Sequence, residues 1–284
     1  MQVVVAGVDL TAMGRRVADR ARIVAESSGA TLILMHVLEP VAEAMIEPSL
    51  AKLLREHQTE QAEKLAGWVQ ERTNVEVILD VTKGSPSWEL AARAKKAGLV
   101  VVGSSSIDAF SVGPVAKRVA RKATTDTLIV RRQPRVPYRR IVAATDFSEQ
   151  SRVAVERSLE LFPEAEVTAL YSLPSRFDPI LAEAGLFDEE IEASREARLA
   201  KAEERMAEFA DIWEGKVGTL VVDGPPAKTI EEAVRRRGAD LVTVSSRGAT
   251  STRMVLLGTV AEGLVTEAPC DVLVARAGVA FRRP

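Results

Sequence analysis

The stretch Val3-Val4-Val5-Ala6-Gly7-Val8-Asp9 decides how the chain is read. Its apolar run is too continuous for a strand with one wet face, because such a strand alternates apolar and polar residues. A strand covered on both faces has no such need, and that environment belongs to parallel sheets flanked by helices. The run ends in a carboxylate, Asp9. Ile141-Val142-Ala143-Ala144-Thr145-Asp146 repeats the pattern at an offset of 137.

Three more blocks recur in the same order. Val81-Thr82-Lys83-Gly84-Ser85-Pro86 matches Val221-Val222-Asp223-Gly224-Pro225-Pro226, and Leu99–Gly103 matches Leu241–Ser245. Thr127–Arg131 matches Val272–Arg276. Slowly growing offsets across four blocks mean one unit used twice with small insertions. The expected organisation is domain 1 over 1–133, a linker over 134–140 with two prolines, and domain 2 over 141–284.

Each half alternates strand with amphipathic helix. Residues from Met13 to Ser28 carry Val17, Ala21, Val24 and Ala25 at helical spacing and stop at Gly29. A long acidic helix is expected from Asp188 to about Ile212. Gly84-Ser85-Pro86 reads as a turn glycine, a capping serine and Pro at the first helical position. The pattern predicts an α/β protein of two tandem, doubly wound, parallel five-stranded sheets, Rossmann-like in layout. Ligands of such sheets sit beyond the C-terminal strand edges, where the strand order reverses.

Composition narrows the function. With 46% hydrophobic and 27% charged residues, and no apolar run near the ~18 that a span needs, the chain reads as an ordinary globular protein. Its beginning carries no basic leader, and one cysteine (Cys270) fits a reducing cytoplasm, so a cytoplasmic location is expected. Residues 1–133 carry net charge +3, 134–140 add three arginines, and 141–284 carry −8. Aromatics are only 4%, and no basic stripe interleaves with them; nucleic-acid binding is disfavoured. His36 and His57 are too few for a His-rich metal centre.

The chemistry concentrates after the fourth strand of the second half. Ser245-Ser246-Arg247-Gly248 is followed by nine residues and then Gly258-Thr259, which opens a helix. No acidic residue occurs between Asp240 and Glu262. Backbone amides, hydroxyls, Arg247, Arg253 and a helix N-terminus together make a phosphate seat. A strand-to-helix turn without ligand is the competing explanation. For Asp9 and Asp146 the competitor is helix N-capping. Gly224-Pro225-Pro226-Ala227-Lys228-Thr229 lacks the second glycine of a P-loop and reads as a turn with Pro at a helix start.

On these motifs the chain resembles the universal stress protein family in its tandem form. Nucleotide-binding members carry Gly-x-x-Gly, nine residues, Gly-Ser/Thr, then an Ala-Pro-Cys strand entry, matched here through Glu267-Ala268-Pro269-Cys270. The resemblance implies an adenine nucleotide alpha hydrolase-like fold and a stress-response protein that binds ATP, with or without Mg²⁺. Asp146 would face the nucleoside, and Gly248, Gly258 and Thr259 would hold phosphates; Arg247 joins them on charge grounds. Ser245 stands where the family has its first glycine, which would weaken binding if that position needs positive φ or a close approach. The first half departs further. Gly103 is kept, but Ser106 replaces the second glycine, and Gly113-Pro114 loses an N–H and a hydroxyl. Asp9, Gly103 and Gly113 are therefore the weaker candidates, in a degenerate copy.

No general base or paired carboxylate flanks the loop, and no catalytic or metal-ligating residue is assigned; a binding module is favoured over an enzyme. The resemblance also implies pairing of the two domains through Leu128–Val130 and Val272–Ala275, with a homodimer of whole chains left open and no membrane partner. A scaffold that binds no nucleotide, or a slow ATP hydrolase, are the alternatives.

Overall fold

The computed structural model describes residues 3–40, 45–104, 112–174, 183–184, 187–246 and 257–276. Ten strands form one sheet in the order β3-β2-β1-β4-β5-β10-β9-β6-β7-β8. The first block comprises β1 (Val3–Gly7), β2 (Thr31–Leu38), β3 (Val77–Lys83), β4 (Leu99–Gly103) and β5 (Asp126–Val130). The second comprises β6 (Arg140–Thr145), β7 (Glu166–Leu173), β8 (Val217–Asp223), β9 (Leu241–Ser245) and β10 (Asp271–Ala275). Within each block all pairings are parallel. Each is the doubly wound order expected of buried apolar strands joined by helices. The strand order reverses at β1/β4 and again at β6/β9.

The first-half helices are α1 (Ala12–Ser28), α2 (Pro48–Gln70), α3 (Pro86–Ala94) and α4 (Pro114–Lys122). Those of the second half are α5 (Glu149–Leu161), α6 (Asp188–Asp211), α7 (Pro226–Arg237) and α8 (Thr259–Glu267). Their ends follow local chemistry. The Thr11 hydroxyl caps α1 by accepting from Met13 N, and Gly29, left-handed at φ 63°, closes it. Pro226 opens α7, and the Thr229 hydroxyl donates to the Pro225 carbonyl at 2.8 Å. The P-loop-like run is thus a turn and a helix start.

Alternation along the strands splits the core into two layers, one per sheet face. Val5, Val100, Ile129, Val142 and Val272 belong to one; Val4, Leu99, Leu128, Ile141 and Leu273 belong to the other. Both layers run through both halves. The blocks meet where β5 and β10 pair antiparallel, with Leu128 opposite Leu273.

That seam is closed by a repeated set of polar contacts. The Asp271 carboxylate accepts from the amides of Arg131 (2.7 Å) and Arg132 (3.0 Å) and lies 3.6 Å from Arg20 Nε. Asp126 accepts from the amide of Arg276 (2.7 Å) and lies 2.8 Å from Arg157 Nε. Each pair crosses from one half to the other. Arg131 also donates to the carbonyl of Val265 at the end of α8 (2.6 Å), and Arg276 to that of Ala120 at the end of α4. Cations suit helix C-termini. The connecting segment is itself pinned: Tyr138 is buried, packs edge-on against Phe162, lies beneath Arg20, and donates to Asp271 at 2.6 Å.

Candidate functional site

The C-terminal edge of β1 and β4 opens onto a cavity of about 830 Å³ in the N-terminal half. Asp9, Gly103 and Gly113, the three weaker candidates, all line it. Asp9 lies two residues beyond the end of β1, where the chain turns into α1. Its Oδ1 accepts from Gly14 N (2.8 Å), Thr11 N (3.1 Å) and the Thr11 hydroxyl (2.5 Å). Capping the turn and facing the cavity are therefore not exclusive.

Gly14 has to be glycine, because a Cβ there would sit 1.8 Å from the Asp9 carbonyl oxygen. The equivalent Ser151 solves the same turn differently. Its hydroxyl lies 2.9 Å from the Thr145 hydroxyl and accepts from Asp146 N at 3.3 Å. Asp146 Oδ1 accepts from the Ser148 amide and hydroxyl at 3.1 and 2.5 Å. The neighbouring Phe147 takes a left-handed φ of 65° and lies against Tyr171, ring centroids 4.3 Å apart. A non-glycine residue there carries strain of about 1–3 kcal/mol, offset by aromatic packing.

Both halves build the end of the fourth strand and the helix that follows it alike. Ser104 N donates to Val130 O and Ser246 N to Ala275 O, each at 2.9 Å. Gly113 N then donates to Ser104 O, and Gly258 N to Ser246 O. Gly113 and Gly258 are the N-caps of α4 and α8, with near-identical extended backbones (φ −63°, ψ 161° and φ −64°, ψ 156°). The amide of each glycine is thus held by its own loop. The groups an anion can reach are the first amides of the helix, which lack intrahelical partners. At α8 these begin with Thr259, which is exposed and adds a hydroxyl. At α4 the first position is Pro114, with no N–H. A phosphate therefore fits the donor set of α8 better than that of α4.

Gly103 does not adopt positive φ; a Cβ on it would meet Met13 Cγ at 2.5 Å and Val17 Cγ2 at 3.2 Å. At the offset of 137 the corresponding residues are Gln150 and Ala154. Ser245 sits buried at the end of a regular strand. Arg247 and Gly248 lie outside the described residues, as do Ser106 and Arg253.

Two lining residues went unmarked by any motif. His36 and Ser104 border the cavity, and His36 Nε2 and Ser104 Oγ are buried polar atoms without a hydrogen-bond partner. Strand-end position was the one sequence signal for His36. Cys270 is wholly buried, and desolvation pushes its thiol up to about 12, so it is a packing residue and not a nucleophile. Among the described residues no cluster of His, Cys, Asp and Glu could hold a metal ion, and no helix is long and apolar enough to cross a membrane.

The sequence profile of the universal stress protein family matches residues 1–131 and again 137–276. The chain belongs to that family, with its unit present twice. A universal stress protein of Methanocaldococcus jannaschii is 33% identical over 144 residues, covering 49% of this chain and 82% of the relative. One of Mycolicibacterium smegmatis is 35% identical over 111 residues, 38% of each chain. The crystal structure of a universal stress protein from Archaeoglobus fulgidus is similar across 97% of this chain and 98% of that one, with a TM-score of 0.71. At 18% identity that likeness speaks for the fold alone.

Proposed function

We propose that this chain is a stress-response regulatory module whose C-terminal half binds an adenine nucleotide, ATP, with or without Mg²⁺. In this reading Asp146 meets the nucleoside, while Ser245, Arg247, Gly248, Gly258 and Thr259 surround the phosphates. The units are 1–133 and 141–284, joined by 134–140, and they work as an intramolecular pair. One observation carries the reading: α8 opens on Gly258-Thr259, whose first amides have no acceptor within the helix, beside the reversal of strand order at β6/β9, where Asp146 directly follows its strand. The sequence from 241 to 261 contains two arginines and no carboxylate, which suits a polyanion.

Release of bound small molecules from the purified, denatured chain, followed by mass spectrometry, tests the reading. ATP in the released fraction, together with saturable ATP binding by calorimetry, is the expected result. ADP with continuous phosphate release would instead mark a hydrolase. Absence of both a released nucleotide and ATP binding would leave a paired scaffold.

A further inference from the structure

We infer that Phe147 is a positioning residue for the nucleoside end of the C-terminal site, and that through it the outer helix α6 senses nucleotide. The inference rests on the reading that Asp146 meets a nucleoside, and it names what holds that carboxylate in place.

The backbone gives the first observation. Asp146 and Ser148 flank Phe147, and the hydrogen bonds from the Ser148 amide and hydroxyl to Asp146 Oδ1 span it. The torsions of Phe147 therefore set where the carboxylate lies. Its φ of 65° is a conformation that bulky L-residues avoid. Such a residue stays there only where its surroundings hold it. The first half makes the same turn without this device. Leu10 holds the equivalent place, outside the left-handed region and 36% exposed. There Gly14 N, in the first turn of α1, adds a hydrogen bond to Asp9 Oδ1 at 2.8 Å. In the second half Ser151 stands at that position, and its hydroxyl engages the Thr145 hydroxyl and the Asp146 amide.

The side chain gives the second. Three groups bracket the Phe147 ring: Tyr171 of β7 at 4.3 Å between centroids, Phe209 of α6 edge-on at 5.9 Å, and the Arg205 guanidinium of α6 at 4.6 Å from the centroid. Phe209 in turn meets Trp213, just past α6, at 5.2 Å. Two of the three contacts come from α6, so a change in the Phe147 torsions repacks α6, and a shift of α6 loosens Phe147. A ligand that fixes the Asp146 turn then steadies α6 by the same free energy with which α6 favours the ligand. The bracket draws nothing from α8, where the phosphates would lie. Trp68, which takes the place of Phe209 in the first half at an offset of 141, is covered instead by Arg15 and Arg72.

The test measures binding of ATP and of inorganic tripolyphosphate to the intact chain by calorimetry, and follows α6 by hydrogen exchange. ATP should slow amide exchange along the C-terminal half of α6 in the wild type, and tripolyphosphate should not. Phe147→Leu and, on α6 itself, Phe209→Leu should each weaken ATP about fivefold or more and leave tripolyphosphate unchanged. Phe147→Tyr keeps a ring in the bracket and should bind ATP as wild type does. Undiminished ATP binding by both leucine variants overturns the inference and leaves the nucleotide reading standing, as does an equal loss for both ligands. Unaltered α6 exchange at saturating ATP does the same without any variant. If the wild type binds neither ligand, both readings fall.

Discussion

The guanidinium of Arg157, from the C-terminal half, lies 2.8 Å from the carboxylate of Asp126, from the N-terminal half, and both side chains are almost wholly buried. Arg20 and Asp271 repeat the relationship with the halves exchanged. An isologous contact is built this way: the same residues serve both sides of a two-fold. Here the partners are copies within one chain. Buried charges exposed by separation would be costly to leave unpaired, so the seam favours a fixed arrangement of the halves.

Stability should fall with rising pH at this seam. Burial, the largest influence, pushes the Asp126 carboxyl up to about 6, against the pull of Arg157 and of the Arg276 amide. A raised carboxyl favours the protonated folded state. Its stabilising share is complete below the unfolded value of about 4 and lost as pH rises through about 6, a difference of about 3 kcal/mol. Desolvation moves Asp271 in the same direction. Urea denaturation of wild type and Asp126→Asn across this window should show the wild-type decline flattened in the variant; parallel curves would contradict the assignment.

Tyr138→Phe should destabilise the chain by about 1–2 kcal/mol, because the hydroxyl donates to a buried carboxylate at 2.6 Å. The ring, its edge contact with Phe162 and its stacking under Arg20 all remain. Equilibrium unfolding measures the loss. A neutral result would mean that the Arg131 and Arg132 amides satisfy Asp271 alone.

Thr259→Pro copies Gly113-Pro114 into the C-terminal half. Proline fits the first helical position, so thermal stability should hold. One amide and one hydroxyl disappear from the α8 entry, and ATP affinity by calorimetry should drop about tenfold or more. Unaltered affinity would remove Thr259 from the phosphate site.

Ser245→Gly restores the family's first motif glycine. The equivalent Gly103 keeps ordinary strand geometry, and its lack of a side chain answers Met13 and Val17, not a ligand. The variant should therefore bind ATP as wild type does and lose about 0.5–1 kcal/mol of stability from the added backbone freedom. A clear gain in affinity would show that the serine hinders nucleotide approach.

The sequence by itself determined the duplication, the α/β alternation, the buried parallel strands and the helix starts at Pro86 and Pro226. These depend on local signals: residue periodicity, turn glycines and proline geometry. Asp9, Gly103 and Gly113 line one cavity because the strand ends and the helix entry set them at a common edge. Only the tertiary structure decided that His36 Nε2 and Ser104 Oγ are left without partners, since a missing hydrogen bond is a property of surroundings drawn from distant segments. The seam is of the same kind. Arg20 and Arg157 share the repeat offset of 137, yet a buried arginine looks like any surface arginine in sequence. It becomes structural once a carboxylate from the other half, more than a hundred residues away in Arg20's case, meets it out of water.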